Sequence, residues 1–319
     1  MSSDLNSQIF LLEVNHPIYP DFQLNFNYYN QFAMTLLVSW IAVDSRAPSS
    51  IYVASDSRIS WGGSTNYDFG KKVFACKNYP EIFGYCGDVL FPVMMLSQVV
   101  DSIDCDLLFS SNLTCKEKTR LVMKRMAESF KRYPSEVENI VKPSFEILHC
   151  SRDINQKFSC YKITWEKNRT RKWSLREVKA SRVSDKAFIL GNGAKEFEKK
   201  LKLYMESKNA KTSRSLFQCF CHTLADIEDK SCGGAPQLSG IYRKPDSGGR
   251  LYGIIWKKKR FFEGMQVDNY PKDKFNAIEW RNELFEICDG KTKRKKNGAQ
   301  SQPNYVRDKE ATPHAAQNI

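Results

Sequence analysis

A chain of 319 residues with 41% hydrophobic and 13% aromatic content can bury a core as one large domain or two small ones. No run of about 18 apolar residues occurs, which excludes a membrane-spanning helix. The first 30 residues lack the basic region and apolar stretch of a secretory signal, so a cytoplasmic location is expected. The net charge of +13 is unevenly spread. The first 34 residues contain Asp4, Glu13 and Asp21 and no Lys or Arg, whereas residues 289–319 hold seven basic and three acidic groups. A basic body favours acidic partners in general. No aromatic–basic interleaving of a nucleic-acid module accompanies it, so a solvated surface is expected and nucleic acid is ranked last as a partner. Ten cysteines lie singly or as Cys219-Phe-Cys221, beside only four histidines. Zinc-ligand spacing is therefore absent, no metal site is expected, and most of the cysteines read as small core hydrophobes.

Residues 1–34 show neither helical nor strand period, and the character of the chain changes at Thr35. Two readings stand. The segment is a propeptide removed by cleavage of the Met34–Thr35 bond, or an extension upstream of a start at Met34, whose removal bares Thr35. From Thr35 the pattern predicts a strand to Val43, a polar hairpin loop over Asp44–Ser50, and a strand over Ile51–Ser55. A loop over Trp61–Asp68 and strands over Lys72–Cys76 and Ile82–Cys86 follow. Val89, Val93, Leu96, Val100 and Ile103 recur at steps of three and four and predict a helix over Asp88–Ile103. Thr114–Arg132 reads as a second helix, stopped by Pro134.

Phe145–Cys150 and Phe158–Trp165 alternate as a hairpin across Asp153–Gln156, and Trp173–Val178 reads as a third strand. Phe188–Ala194 is a buried strand breaking at two glycines into a helix over Lys195–Ser207. Another helix runs from Ser213 to Asp229. Gln237–Tyr242 and Leu251–Trp256 read as the last hairpin and Asp273–Cys288 as a terminal helix. The expected domains are 1–34, 35–288 and 289–319, the last a basic tail too poor in large apolar groups to order. Strands, two helices, strands, two helices, strands is the order of two antiparallel sheets packed face to face with helices outside, an α+β arrangement.

A chain that begins with threonine carries a hydroxyl nucleophile and an α-amino base of pKa about 7.7–8 on one residue. The ordered motifs Thr35-Leu-Leu-Val, Ala54-Ser-Asp-Ser-Arg58, Lys71-Lys-Val73 and Gly84-Tyr-Cys-Gly87 resemble the proteasome β-type subunits of the N-terminal-nucleophile hydrolases. The likeness runs from Thr35 to about Val100 and returns at Asp229–Gly234. Asp56 and Lys72 are 16 residues apart and Lys72 and Gly87 are 15 apart, as in that family. Thr35 to Asp56 spans 21, the excess falling in the Asp44–Ser50 loop.

The resemblance implies a four-layer αββα sandwich in which Lys72 lies beside the Thr35 hydroxyl and Asp56 holds Lys72. Strand alternation lets only one of Lys71 and Lys72 face the nucleophile, and the resemblance selects Lys72. It implies further that the Gly87 N–H serves a developing oxyanion and that Asp229 orients the amine, with Arg58, Asn192 and Cys232 in support. Asn192 and Cys232 stand where the family has serine, and Cys bonds feebly. Ile59, Phe74, Tyr85 and Val89 are expected to shape an apolar substrate pocket of limited depth. The implied protein is a threonine-type amide hydrolase acting on peptides or polypeptides without metal or cofactor, assembled as a homo-oligomeric ring; whether an ATP-driven unfoldase is a partner is left open by the sequence. The alternative is a catalytically inactive ring subunit of the same fold.

Overall fold

A nearly continuous apolar run after Thr35, buried on both faces, builds strand β1 (Leu37–Val43), which turns at Asp44 into β2 (Pro48–Ser55). The computed structural model describes residues 35–61, 65–110, 112–134, 144–170, 172–178, 183–207, 209–244 and 247–301, all within one compact unit of the chain. Residues 1–34, with their two readings, and residues 302–319 lie outside the described residues. In the first hairpin the Asp44 carboxylate accepts the N–H groups of Arg46 and Ala47, which closes the turn. The segment read as a loop, Trp61–Asp68, contains β4 (Asn66–Tyr67), which pairs antiparallel with β3 (Ile59–Ser60) just before it.

Strands β5 (Val73–Ala75) and β6 (Glu81–Gly87) precede helices α1 (Leu90–Asp104) and α2 (Cys115–Phe130). Thr114 and Glu117 cap α2 reciprocally, each side chain bonding the other's backbone N–H. A meander follows, β7 (Ser144–Arg152), β8 (Phe158–Glu166) and β9 (Trp173–Val178), and then β10 (Asp185–Leu190). The chain breaks at Gly191-Asn192-Gly193 into α3 (Ala194–Tyr204), and α4 (Ser213–Asp226) follows. That helix stops at Asp226, so Asp229 sits in the loop beyond it and not on the helix end as the sequence suggested.

After β11 (Gln237–Tyr242) the two main sheets are complete apart from a short edge strand, β12 (Arg250–Leu251). One sheet has the order β10-β1-β2-β11-β12 and the other β5-β6-β7-β8-β9, all neighbours antiparallel. The period of two sorts their side chains. Leu37, Ile41, Ile51 and Val53 meet Ile82, Leu148 and Cys150 between the sheets. Val38, Trp40 and Ala54 face Phe197, Leu201, Phe217 and Phe220 of α3 and α4. Phe83, Tyr85 and Ile147 face Phe91, Met95, Val122 and Met126 of α1 and α2. The layers run helix, sheet, sheet, helix: the four-layer αββα sandwich, α+β in class.

Beyond residue 252 the structure departs from the sequence reading. Leu251–Trp256 is not one strand of a closing hairpin, since β13 (Gly253–Trp256) leaves the sandwich for a third sheet. This sheet has the order β15-β14-β13-β16-β17, with β14 (Lys259–Phe262), β15 (Met265–Gln266), β16 (Trp280–Asn282) and β17 (Ile287–Cys288). The terminal helix expected over Asp273–Cys288 is absent; a 3-10 turn, Lys272–Ala277, is the only helical piece there. Ile255, Val267, Phe275, Trp280 and Cys288 give the sheet a core of its own, which the isolated helical period could not provide. The stretch expected to begin a tail holds turns as far as residue 301. Asp289 accepts the Thr292 N–H and the Asn276 amide, and Arg260 donates to the carbonyls of Gly290 and Lys291.

Candidate active site

Register brings the candidate residues together before any side chain is considered. Leu37 pairs with Ser55 across β1 and β2, which sets Thr35 and Asp56 at adjoining strand ends. The Leu36 N–H donates to Asp56 Oδ1 at 3.1 Å, and the Asp56 N–H donates to the Leu36 carbonyl at 3.2 Å. Arg58 and Gly233 direct their backbone N–H groups to Asp56 Oδ2 at 3.2 and 3.1 Å. Lys72 Nζ completes the set, donating to Asp56 Oδ1 at 2.9 Å and to Thr35 Oγ1 at 2.8 Å. Thr35, Asp56 and Lys72 are 2%, 0% and 1% exposed, so water does not screen this contact.

Burial pushes the Asp56 carboxyl up, against the downward pull of Lys72 and of the Gly233 and Leu36 N–H groups. Every partner of its two oxygens named above is a donor, and that set suits a carboxylate facing an ammonium. The neighbouring Lys71 turns the other way. Its ammonium pairs with Glu263 and stands 4.7 Å from the centre of the Phe74 ring.

The turn after β10 holds Thr35 from its other side. The Gly193 N–H donates to the Thr35 carbonyl at 3.3 Å, and Gly191 crosses the same carbonyl with φ of +86°. Between these glycines Asn192 donates to Asp229 at 3.1 Å and to Ser231 Oγ at 3.2 Å. Ser231 gives its N–H and its hydroxyl to Asp229 at 2.8 and 2.6 Å. Burial opposes ionisation of Asp229, yet the Ser231 and Asn192 bonds hold its pKa below the ordinary carboxylate range. Cys232 is buried and its thiol is pushed up to about 12, first by burial and then by Asp56 and Asp229. The hydroxyl in this network is thus Ser231, one residue before the position singled out from sequence.

Arg58 ties the same loop to the end of β2. Its guanidinium grips Asp68 at 2.6 and 2.9 Å and donates to the carbonyls of Lys230 and Cys232. Gly87 ends β6 with φ of +97°. The Tyr85 N–H donates to the Lys72 carbonyl at 3.3 Å, so Gly87 lies two residues along the neighbouring strand from the Lys72 level, roughly 7 Å. Phe74 and Tyr85 are nearly fully buried against α1 and α2, with Val89 packed on the same cluster, while Ile59 is half-buried on β3 and pressed on Gly70. Two clefts of about 430 and 500 Å³ open elsewhere, one beside Lys186 and α3 and the other between Asp44 and Arg250.

A second constellation escaped the sequence reading. His149 Nε2 meets Glu81 at 2.8 Å, His149 Nδ1 meets Thr119 Oγ1 at 2.9 Å, and Lys118 pairs with Glu81 at 2.6 Å. The connectivity is that of a hydroxyl–imidazole–carboxylate triad. Thr119, His149 and Glu81 are each 0% exposed, Phe83 stacks on the imidazole, and the Thr119 hydroxyl is spent on the Cys115 carbonyl. Its hydroxyl and its carboxylate are both taken up by protein partners, and the group is a buried polar joint between α2 and the second sheet. Among the described residues no cluster of His, Cys, Asp or Glu is placed to hold a metal, and no helix is long and apolar enough to cross a membrane.

No protein-family model and no curated protein sequence matches the chain. Solved structures do. The helical assembly of the Anbu complex from Pseudomonas aeruginosa matches with a TM-score of 0.50 at 14% identity, covering 71% of this chain and 87% of that one. Anbu (ancestral beta-subunit) from Yersinia bercovieri gives 0.44 at 13% identity over 66% and 85%. The Anbu (Gly-1) mutant from Hyphomicrobium sp. strain MC1 gives 0.44 at 13% over 65% and 81%. The first of these likenesses shows the fold alone. It also corrects the resemblance drawn from the motifs: no family model supports membership among proteasome β-type subunits, and the structure whose likeness shows the fold is the Anbu complex.

Proposed function

We propose that the chain, once it begins at Thr35, is a threonine-type N-terminal-nucleophile hydrolase of amide bonds. The observation that supports this most is the buried contact of Lys72 Nζ with Thr35 Oγ1 at 2.8 Å, with Asp56 behind the lysine at 2.9 Å. A hydroxyl does not ionise near neutrality, and an adjacent ammonium in a dry site lowers the cost of forming an alkoxide. The free α-amine takes the hydroxyl proton as Oγ1 attacks the substrate carbonyl. The Gly87 N–H is the proposed donor to the tetrahedral oxyanion. Collapse breaks the amide bond, the protonated amine gives its proton to the departing nitrogen, and an ester remains on Thr35. Water, deprotonated by the same amine, then releases the acyl group.

Asp229, Asn192 and Ser231 are the proposed holders of the amine, and Arg58 keeps their loop against the end of β2. Ile59, Phe74, Tyr85 and Val89 are the proposed apolar surroundings of the substrate side chain, and peptides or unfolded polypeptides the proposed substrates. The Pseudomonas aeruginosa structure is an assembly, and we propose that this chain likewise associates with copies of itself. Trapping Thr35 with an electrophilic peptide tests the reading. A retained extension before Thr35 blocks the amine, in which case the same fold acts as a non-catalytic subunit.

A further inference from the structure

Gln237 opens β11 and is 1% exposed. A primary amide at such a place must spend two N–H donors and a carbonyl oxygen on protein partners. Its Oε1 accepts the Lys72 backbone N–H at 3.0 Å, and its Nε2 donates to the carbonyls of Asp56 at 3.2 Å and Gly70 at 2.7 Å. The partners fix which end of the amide is which, since an N–H demands the oxygen and two carbonyls demand the nitrogen. One side chain therefore holds the backbone of both Lys72 and Asp56, whose side chains pair at 2.9 Å behind Thr35.

The third sheet closes over this clamp. A Cβ on Gly264, in the β14–β15 turn, would stand 3.2 Å from Gln237 Nε2, 3.0 Å from the Gly70 carbonyl and 2.9 Å from Ser57 Cβ. Glu263 of the same turn takes the Lys71 ammonium. The segment Gly70–Lys72 is thus gripped from within by Gln237 and from outside by Glu263.

The geometry points to Gln237 as a positioning residue that sets the register of Lys72 against Asp56, and through it the contact of Lys72 with Thr35. This rests on the hydrolase reading of Thr35. A displacement near 1 Å costs a reacting pair about 100-fold in rate, and without Gln237 Lys72 keeps the Tyr85 N–H on its carbonyl but loses the bond that fixes its own N–H. An amide that merely helped folding would alter stability and leave the reactivity of the folded protein alone.

The test uses chains beginning at Thr35 and compares the native protein with Gln237→Glu and Gln237→Met. A hydrophobic tripeptide vinyl sulfone is the probe, and the second-order rate of adduct formation at Thr35 is followed across pH. Both folded variants are expected to react about 10- to 100-fold more slowly. In Q237E the pH midpoint is also expected to rise, because a carboxylate beside the Lys72 backbone stabilises the protonated amines nearby. Folded variants that react at the native rate with the native midpoint overturn the assignment. Should Q237M not fold, Q237E, which keeps the shape of the side chain, decides alone. If the native chain itself takes no label, the hydrolase reading fails separately, and crystal structures of the variants decide the positioning claim. Lys72 Nζ beyond hydrogen-bond reach of Thr35 Oγ1 supports it, and retention of the 2.8 Å contact overturns it.

Discussion

The carbonyl oxygen of Thr35 lies 2.0 Å from the point that a Cβ on Gly191 would occupy, and Gly191 holds φ at +86°. Only glycine meets both conditions, because a side chain there would collide with rigid backbone in a conformation that L-residues avoid. Gly191→Ala is expected to cost about 2–4 kcal/mol from backbone strain and overpacking together. Urea denaturation checks this, and an unchanged midpoint would contradict the packing of Thr35 against the turn.

Lys72 has two duties that one substitution separates. Lys72→Met removes the ammonium beside the nucleophile and is expected to slow acylation of Thr35 by about 10²–10³-fold. It also strands the buried Asp56 carboxylate, a loss of about 3–5 kcal/mol in stability. Adding Asp56→Asn removes that charge, so the double variant should recover part of the stability and none of the rate. Paired labelling and denaturation measurements separate the two effects. Recovery of rate along with stability would mean that Lys72 acts on Thr35 only through folding.

How far the sequence spoke for itself depended on the distance over which each signal acts. Thr35, Asp56 and Lys72 were legible because the motif order and the 16-residue spacing between Asp56 and Lys72 carried the resemblance, which implied that the three side chains come together. The sandwich was legible because β1, β2 and β6 are largely apolar runs between turn residues, β7 and β8 are long enough to show alternation, and α1 and α2 long enough to show a step of three and four. The third sheet was not, since β15, β16 and β17 are two or three residues each and fall below any detectable period. Its β16 pairs in parallel with β13, a contact that chain order does not announce. Gln237 was invisible for another reason: its partners Lys72 and Asp56 lie 165 and 181 residues away. Ser231 could have been found, as a hydroxyl next to the Cys232 that stood where serine was expected.

The joint formed by Glu81, His149 and Lys118 should behave as structure and not as chemistry. Glu81→Gln leaves Lys118 and His149 facing a neutral amide in a buried site, and is expected to cost about 3–5 kcal/mol. The rate of Thr35 labelling in the folded variant should stay at the native value. A selective loss of labelling would show that the joint communicates with the site across the sheet.

His222 gives the fold a dependence on pH. Burial pushes its pKa below 6.5, opposed by Asp226 and assisted by Lys200, and its Nδ1 meets the Tyr204 hydroxyl. Because the folded value is depressed, the unfolded chain binds more protons below about pH 6.5. Stability is then complete above that pH and declines as the pH falls through the folded value. Thermal melts between about pH 7.5 and 5 should show a decline that is shallower in His222→Gln. Equal slopes would place the acid sensitivity in other groups.

Thr35 as a nucleophile is tested most directly by covalent trapping on a chain whose first residue has been established. The protein is expressed from Met1 and from Met34, its N-terminus is read by intact mass and sequencing, and it is then treated with an electrophilic peptide and mapped by mass spectrometry. The expected result is a chain beginning at Thr35 that carries a single adduct on that residue, lost in Thr35→Ala and strongly slowed in Lys72→Met. A chain that begins at Thr35 and takes no adduct there contradicts the account, however well the fold is formed.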